Sequence, residues 1–81
     1  MIDINKDPVG YIEDIIANLG YTKRAENREL YSASKAQEDL DKLTTVQSEI
    51  GASEASAVEK LSALSKVLRM IEAITNTLRL F

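Results

Sequence analysis

Residues 56–81 read SAVEKLSALSKVLRMIEAITNTLRLF, and this stretch decides the fold. Apolar residues recur along it at intervals of three and four, the spacing of one face of an α-helix. That face contains Ala57, Leu61, Leu64, Val67, Leu68, Ile71, Ile74, Leu78 and Phe81. The segment Ser56-Ala57-Val58-Glu59 has the form of a capping box, which marks a helix start. We therefore predict a long helix over about 54–80.

A shorter helix is predicted near the beginning of the chain. Asp7-Pro8 reads as an N-cap followed by proline at the first helical position. Gly20 stands where a C-cap glycine belongs. These signals predict a helix over about 8–19.

The middle of the chain predicts a second long helix, over about 22–49, with Thr22 as its cap and a turn at 51–53 behind it. Apolar positions in this segment also alternate threes and fours, the pattern of two helices packed side by side. We therefore expect a single all-α domain over 1–81. It is a helical hairpin of two long helices with coiled-coil-like packing and a short N-terminal helix.

The predicted final helix has more apolar surface than one hairpin partner can cover. Val67, Met70 and Leu80 widen its face, and the face continues to Phe81. Each large apolar side chain stabilises a fold by about 1.5–3 kcal/mol when fully buried. We expect other subunits to cover the surplus; the alternative is that the first helix folds back to make a three-helix bundle. The predicted self-assembly and packing residues are Leu61, Leu64, Leu68, Ile71, Ile74, Leu78 and Phe81.

No catalytic chemistry is predicted. The chain has no histidine and no cysteine, and no glycine-rich phosphate loop is present. Its carboxylate groups, Glu13/Asp14 and Glu38/Asp39/Asp41, read as solvated helix surface because neighbours on a helix point in different directions. We expect no enzyme activity, metal, cofactor or small-molecule ligand. A net charge of −3 without a basic cluster also argues against nucleic-acid binding.

The chain is not expected to span a membrane, because charged residues interrupt its most apolar stretch. These residues are Lys66, Arg69, Glu72 and Arg79. The first residues lack the basic start and apolar run of a cleaved leader. If the protein leaves the cell, it is expected to use a leaderless route; otherwise it is cytoplasmic.

Three segments resemble subunits of bacterial type III secretion needles. Residues 10–15 (GYIEDI) are similar to the family's Gly-Tyr-Leu-Asp-Asp-Val, and residues 40–43 (LDKL) match its Leu-Asp-Lys-Leu. Residues 66–73 (KVLRMIEA) resemble its Lys-Val-Phe-Lys-Asp-Ile-Asp-Ala. The three segments occur in the same order as in the family and cover about a fifth of the chain. In place of the family's Pro-containing turn, this chain has 51–53 (GAS).

The resemblance implies a hairpin that polymerises into a hollow helical filament at the bacterial surface, where it serves virulence as a conduit for secreted proteins. Its partners would be further copies of itself and other proteins of the secretion apparatus. In the family the C-terminal helix lines the channel, so Lys66 and Arg69 would face or lie near the lumen. Leu68, Ile71 and Ala73 would contribute to subunit packing. An inner-rod subunit of the same machinery matches the resemblance nearly as well.

Two other functions agree with the pattern. One is a small chaperone or adaptor whose apolar surface binds a partner's amphipathic helix, which predicts a discrete complex and no polymer. The other is a helical regulator of antitoxin type, which predicts a sharply melting protein without filaments.

Overall fold

The computed structural model describes residues 2–27 and 31–81, and this part of the chain forms four α-helices without a strand. They are α1 (Pro8–Ala17), α2 (Gly20–Asn27), α3 (Ala33–Ala52) and α4 (Ala57–Leu78). The long helices α3 and α4 pack against each other as a hairpin, and α1 packs against α4. The prediction of an all-α fold with two long helices and a short N-terminal helix is confirmed.

Helix α1 begins as its sequence predicts. The Asp7 carboxylate accepts the Gly10 backbone N–H at 2.9 Å, and Pro8 occupies the first turn. A Cβ atom at position 10 would collide with the Asp7 carboxylate, so the close approach of this cap favours glycine. The helix ends at Ala17, and the Asn18 backbone N–H closes its last turn.

The helix predicted over 22–49 is divided in the structure. Helix α2 begins at Gly20, the residue predicted to end the first helix, and extends to Asn27. Residues 28–30 lie outside the described part. Ser32 then caps α3, and its side chain accepts the Lys35 backbone N–H at 3.2 Å. A serine cap satisfies an N–H group that a helix start leaves without a partner.

The α3–α4 connection lies a few residues later than predicted. Helix α3 continues through Ala52, and the buried Ser53 hydroxyl donates to the Ile50 carbonyl at 2.7 Å. Ser56 caps α4, with its hydroxyl accepting the Glu59 N–H at 3.3 Å. Helix α4 ends at Leu78. Only four residues separate the two long helices, which is why they lie side by side as antiparallel neighbours.

The apolar core is shared among the helices and the α1–α2 junction. Its buried members are Ile12, Leu19, Ala36, Leu43, Val46, Ile50, Ala63, Val67 and Ile74. Because Ile12 belongs to this core and α1 packs against α4, the first helix does fold back onto the hairpin. The described part therefore contains the three-helix arrangement that the sequence offered as the alternative cover for α4.

Polar contacts also attach the N-terminal part of the chain to the hairpin. The Tyr11 hydroxyl donates to the Glu49 carboxylate at 2.9 Å, and Lys66 lies 3.3 Å from Glu13. The Asn5 side-chain oxygen accepts the Glu54 N–H at 2.9 Å. The first two contacts link α1 to α3 and to α4, and the third links the segment before α1 to the connection between the long helices.

The Tyr11–Glu49 bond predicts a measurable titration. The hydrogen bond to the Glu49 carboxylate raises the pKa of Tyr11 above its usual value, with smaller contributions from burial and from the Glu49 charge. A raised folded-state pKa stabilises the fold at pH values below the unfolded pKa, and this stabilisation disappears as pH rises through the folded pKa. Ultraviolet titration is expected to show a late-ionising component that Tyr11→Phe removes. Glu49→Gln is expected to lower that pKa; an unchanged titration would contradict the bond.

None of the helices in the described residues combines the length and apolar character that crossing a membrane requires.

Candidate assembly surface

Helix α4 carries apolar side chains on two of its sides. One side faces inward, where Val67 and Ile74 are fully buried. The other side is open: Val58 is 78% exposed, Leu61 68% and Leu68 54%. We call Val58, Leu61 and Leu68 the outer ridge.

The outer ridge stays open although both α1 and α3 pack against α4. Leu61 and Leu68 are seven residues apart, which places them on the same side of the helix about 10 Å from each other. Leu64 and Ile71 extend the row at heptad spacing, and both are half-buried against the core.

The predicted packing residues are distributed between the core and this surface. Ile74 is fully buried and belongs to the core of its own chain. Leu64, Ile71 and Leu78 are partly buried and pack against that core. Leu61, Leu68 and Phe81 are exposed. The exposed members are the most available to a neighbouring molecule in this conformation, and Val58 joins them although the predicted face did not include it.

The residues after α4 are also apolar and exposed. Leu80 is 86% exposed and Phe81 61%. The Phe81 ring lies 6.5 Å from the Tyr31 ring in a tilted arrangement, and Tyr31 lies 5.7 Å from Tyr21, edge to face. Phe81 therefore lies beside Tyr31, the residue before the Ser32 cap of α3, while much of Phe81 remains open to solvent.

The two residues predicted to face a lumen lie together beside α1. Lys66 and Arg69 line a groove between α1 and α4 whose apolar walls are Ile16 and Met70. Glu13 lies at the same groove and pairs with Lys66. Arg69 is exposed. Their orientation toward a lumen stays a prediction.

A second groove lies between α1 and α3. Apolar atoms contribute most of its lining surface. The residues that line it are Ile15, Asp41, Lys42, Thr45 and Val46. Val46 belongs to the core, while Asp41, Lys42 and Thr45 are exposed at the rim. We call this the α1–α3 groove. It includes no residue of α4 and is therefore a surface separate from the outer ridge.

One polar residue is buried against expectation. Asp39 is 3% exposed, whereas the sequence placed it on a solvated surface. Its carboxylate accepts the backbone N–H groups of Gly20 at 3.2 Å and Tyr21 at 2.9 Å. The Tyr31 hydroxyl donates to the same carboxylate at 2.6 Å. Asp39 thus satisfies the first turn of α2 from a distant position, at the end of the helix where negative charge is favourable.

The spacing of α3 offered a signal for this burial. Asp39 lies three residues after Ala36 and four before Leu43, and both of these are fully buried. An acidic residue within an apolar face is buried only when donors meet it. The sequence contained no indication that Gly20, nineteen residues earlier, would supply a hydrogen-bond donor to Asp39.

The described residues include no group of acidic, histidine or cysteine side chains arranged to hold a metal ion. No protein-family model, curated protein or solved structure matches this chain.

Proposed function

We propose that this chain is a structural subunit that assembles with copies of itself into a helical filament. The observation that carries the proposal is the outer ridge. Three large apolar side chains remain exposed on α4 after α1 and α3 have packed against it. A contact with another subunit buries them, at about 25 cal/mol for each Å² of apolar surface removed from water.

The kind of filament is proposed from the segment resemblance. Residues 10–15, 40–43 and 66–73 are similar to type III secretion needle subunits, and the hairpin of α3 and α4 agrees with the architecture of that family. We propose that the filament is the needle or inner rod of such a system and forms the conduit for secreted proteins. Lys66 and Arg69 then belong to or lie near its channel wall, and export of the subunit is leaderless.

Electron microscopy of the concentrated protein tests this proposal. Negative staining is expected to show uniform thin filaments for the unaltered chain. Leu68→Asp places a charge on the outer ridge and is expected to raise the concentration needed for assembly on the order of 30-fold or more, since about 2 kcal/mol of contact energy is lost.

Ser62→Asp is the matched control, because Ser62 is exposed on α4 and lies about 100° around the helix from Leu61. It is expected to assemble normally. Ile71→Asp is a poorer probe, because Ile71 packs against the core of its own chain. Filaments from Leu68→Asp at the concentration of the unaltered chain would refute the role of the ridge.

A small adaptor is the second candidate. The outer ridge has heptad spacing with Leu64 and Ile71 beside it, the arrangement that an amphipathic partner helix recognises. This function predicts a discrete complex of fixed stoichiometry at every concentration. Light scattering beside the microscopy separates a growing polymer from such a complex.

A further inference from the structure

We infer that α2 detaches from α3 and returns as a unit while α1, α3 and α4 stay packed, and that the Asp39 carboxylate is the latch of its closed form. The inference does not depend on the proposed self-assembly. It follows from the way α2 is attached: no described side chain of α2 is among the buried residues of the core, and a polar contact at the start of α2 joins it to α3.

The apolar attachment of α2 is small. Among its described side chains, Gly20, Tyr21 and Lys23 are half-buried and Thr22 is exposed. The rings of Tyr21 and Tyr31 meet edge to face, with their centroids 5.7 Å apart. Each of the other three helices has at least two buried side chains. Segments with few buried apolar contacts open at a lower free-energy cost than the rest of a fold.

The length of α2 gives it no stability of its own. It has eight residues, and helices shorter than about 12–15 residues are marginal in water unless something packs against them. In the sequence of Gly20–Asn27, only Tyr21 and Ala25 are apolar. Once α2 leaves α3 its helix therefore unwinds, so the segment has a closed helical state and an open unwound state.

The Asp39 carboxylate holds the closed state. Its oxygens accept the backbone N–H groups of Gly20 at 3.2 Å and Tyr21 at 2.9 Å, which are the first two residues of α2. The Tyr31 hydroxyl donates to the same carboxylate at 2.6 Å. Because Asp39 is only 3% exposed, these bonds form in a surrounding of low dielectric, where they are stronger than in water. Opening returns the carboxylate and the two N–H groups to water.

The rest of the core does not need α2. Helix α3 packs on α4, and α1 packs on α4, through contacts between those helices themselves. Leu19, the residue before α2, is 1% exposed and belongs to the core. We place the N-terminal boundary of the opening between Leu19 and Gly20.

Native-state hydrogen exchange followed by NMR tests the inference, under conditions where the exchange rate reports the opening equilibrium. The amides of Lys23 and of residues 24–27 report on α2, and amides in the middle of α3 and α4 report on unfolding of the whole chain. The α2 amides are expected to exchange at least about tenfold faster. Their exchange is also expected to depend less on urea, because opening of α2 exposes little surface. Equal rates with equal urea dependence would show that α2 opens only with the whole molecule, and the inference would be wrong.

A substitution far from α2 separates its opening from global unfolding. Ile50→Val trims a fully buried side chain eleven residues after Asp39, about 16 Å along α3. It is expected to accelerate exchange in the middle of α3 and α4 by about 2- to 10-fold. The α2 amides are expected to keep their rate, because Ile50 stays packed in both the closed and the open state. Acceleration of the α2 amides by the same factor would overturn the inference.

A substitution at the latch acts on α2 itself. Asp39→Asn keeps the shape of the side chain but removes its charge and one acceptor oxygen, so the α2 amides are expected to exchange about tenfold faster. Asp41→Asn alters an exposed carboxylate of the same helix and is expected to leave their exchange unchanged. Circular dichroism checks that both variants fold. If the α2 amides of Asp39→Asn exchange as slowly as those of Asp41→Asn, Asp39 is not the latch.

Discussion

Replacing Asp39 by alanine is expected to lower the free energy of unfolding by about 2–4 kcal/mol. The substitution removes the acceptor for the N–H groups of Gly20 and Tyr21 and for the Tyr31 hydroxyl. Hydrogen bonds to a charged group contribute more than neutral ones, and donors left without partners add a desolvation cost. Since small domains have a total stability of about 5–15 kcal/mol, the loss is large. Urea denaturation followed by circular dichroism measures it.

Two further variants locate the effect. Asp41→Ala alters an exposed carboxylate on the same helix and is expected to change stability by no more than about 0.5 kcal/mol. Asp39→Asn keeps one acceptor oxygen but presents an amide donor to the remaining N–H groups, so an intermediate loss is expected. If Asp39→Ala proves as stable as Asp41→Ala, the carboxylate does not hold α2 in place.

The second large effect is expected at Ile74. Ile74→Ala is expected to cost about 2–5 kcal/mol of folding stability, because the side chain is fully buried and its removal leaves a cavity. Leu68→Ala, on the same helix and more than half exposed, is expected to cost less than about 1 kcal/mol.

The two substitutions are expected to affect assembly in the opposite order, when it is measured under conditions in which both variants are folded. Leu68→Ala is expected to weaken it, whereas Ile74→Ala retains the outer ridge. Thermal melts and light scattering on the same samples make the comparison. Equal stability losses at the two positions would mean that α4 does not separate a folding face from an assembly face.

The local signals in the sequence located the helix starts that depend on neighbouring residues alone. Asp7 with Pro8 and Ser56 with Glu59 are caps whose partners lie within three residues, and both are present. The break before α3 also has a local cap, Ser32, but the sequence contains many serines, and only the structure distinguishes this one. The burial of Asp39 depends on a donor eighteen or nineteen residues away, which no periodicity reveals.

The sequence pattern also did not show which apolar residues of α4 are buried and which are exposed. The sequence predicted one wide apolar face, and the structure buries two of its members, Val67 and Ile74, in the core of the chain. It did not include Ala63, which is fully buried, and it could not separate Ile74 from Leu68. Which side of a wide face meets the fold depends on where the other helices lie, and α1 covers α4 only after a long connection has brought it back.

The packing of α1 against α4 also affects the order in which the molecule can form. The α3–α4 hairpin closes over four residues, so its loop-closure entropy is small. Contacts of the N-terminal segment join partners far apart in sequence, such as Asn5 and Glu54, and such contacts form slowly. On the ribosome α1 emerges long before the helix it rests on. The contacts of α1 with α4 can therefore form only after the C-terminal helix has been synthesised, although α1 is made first.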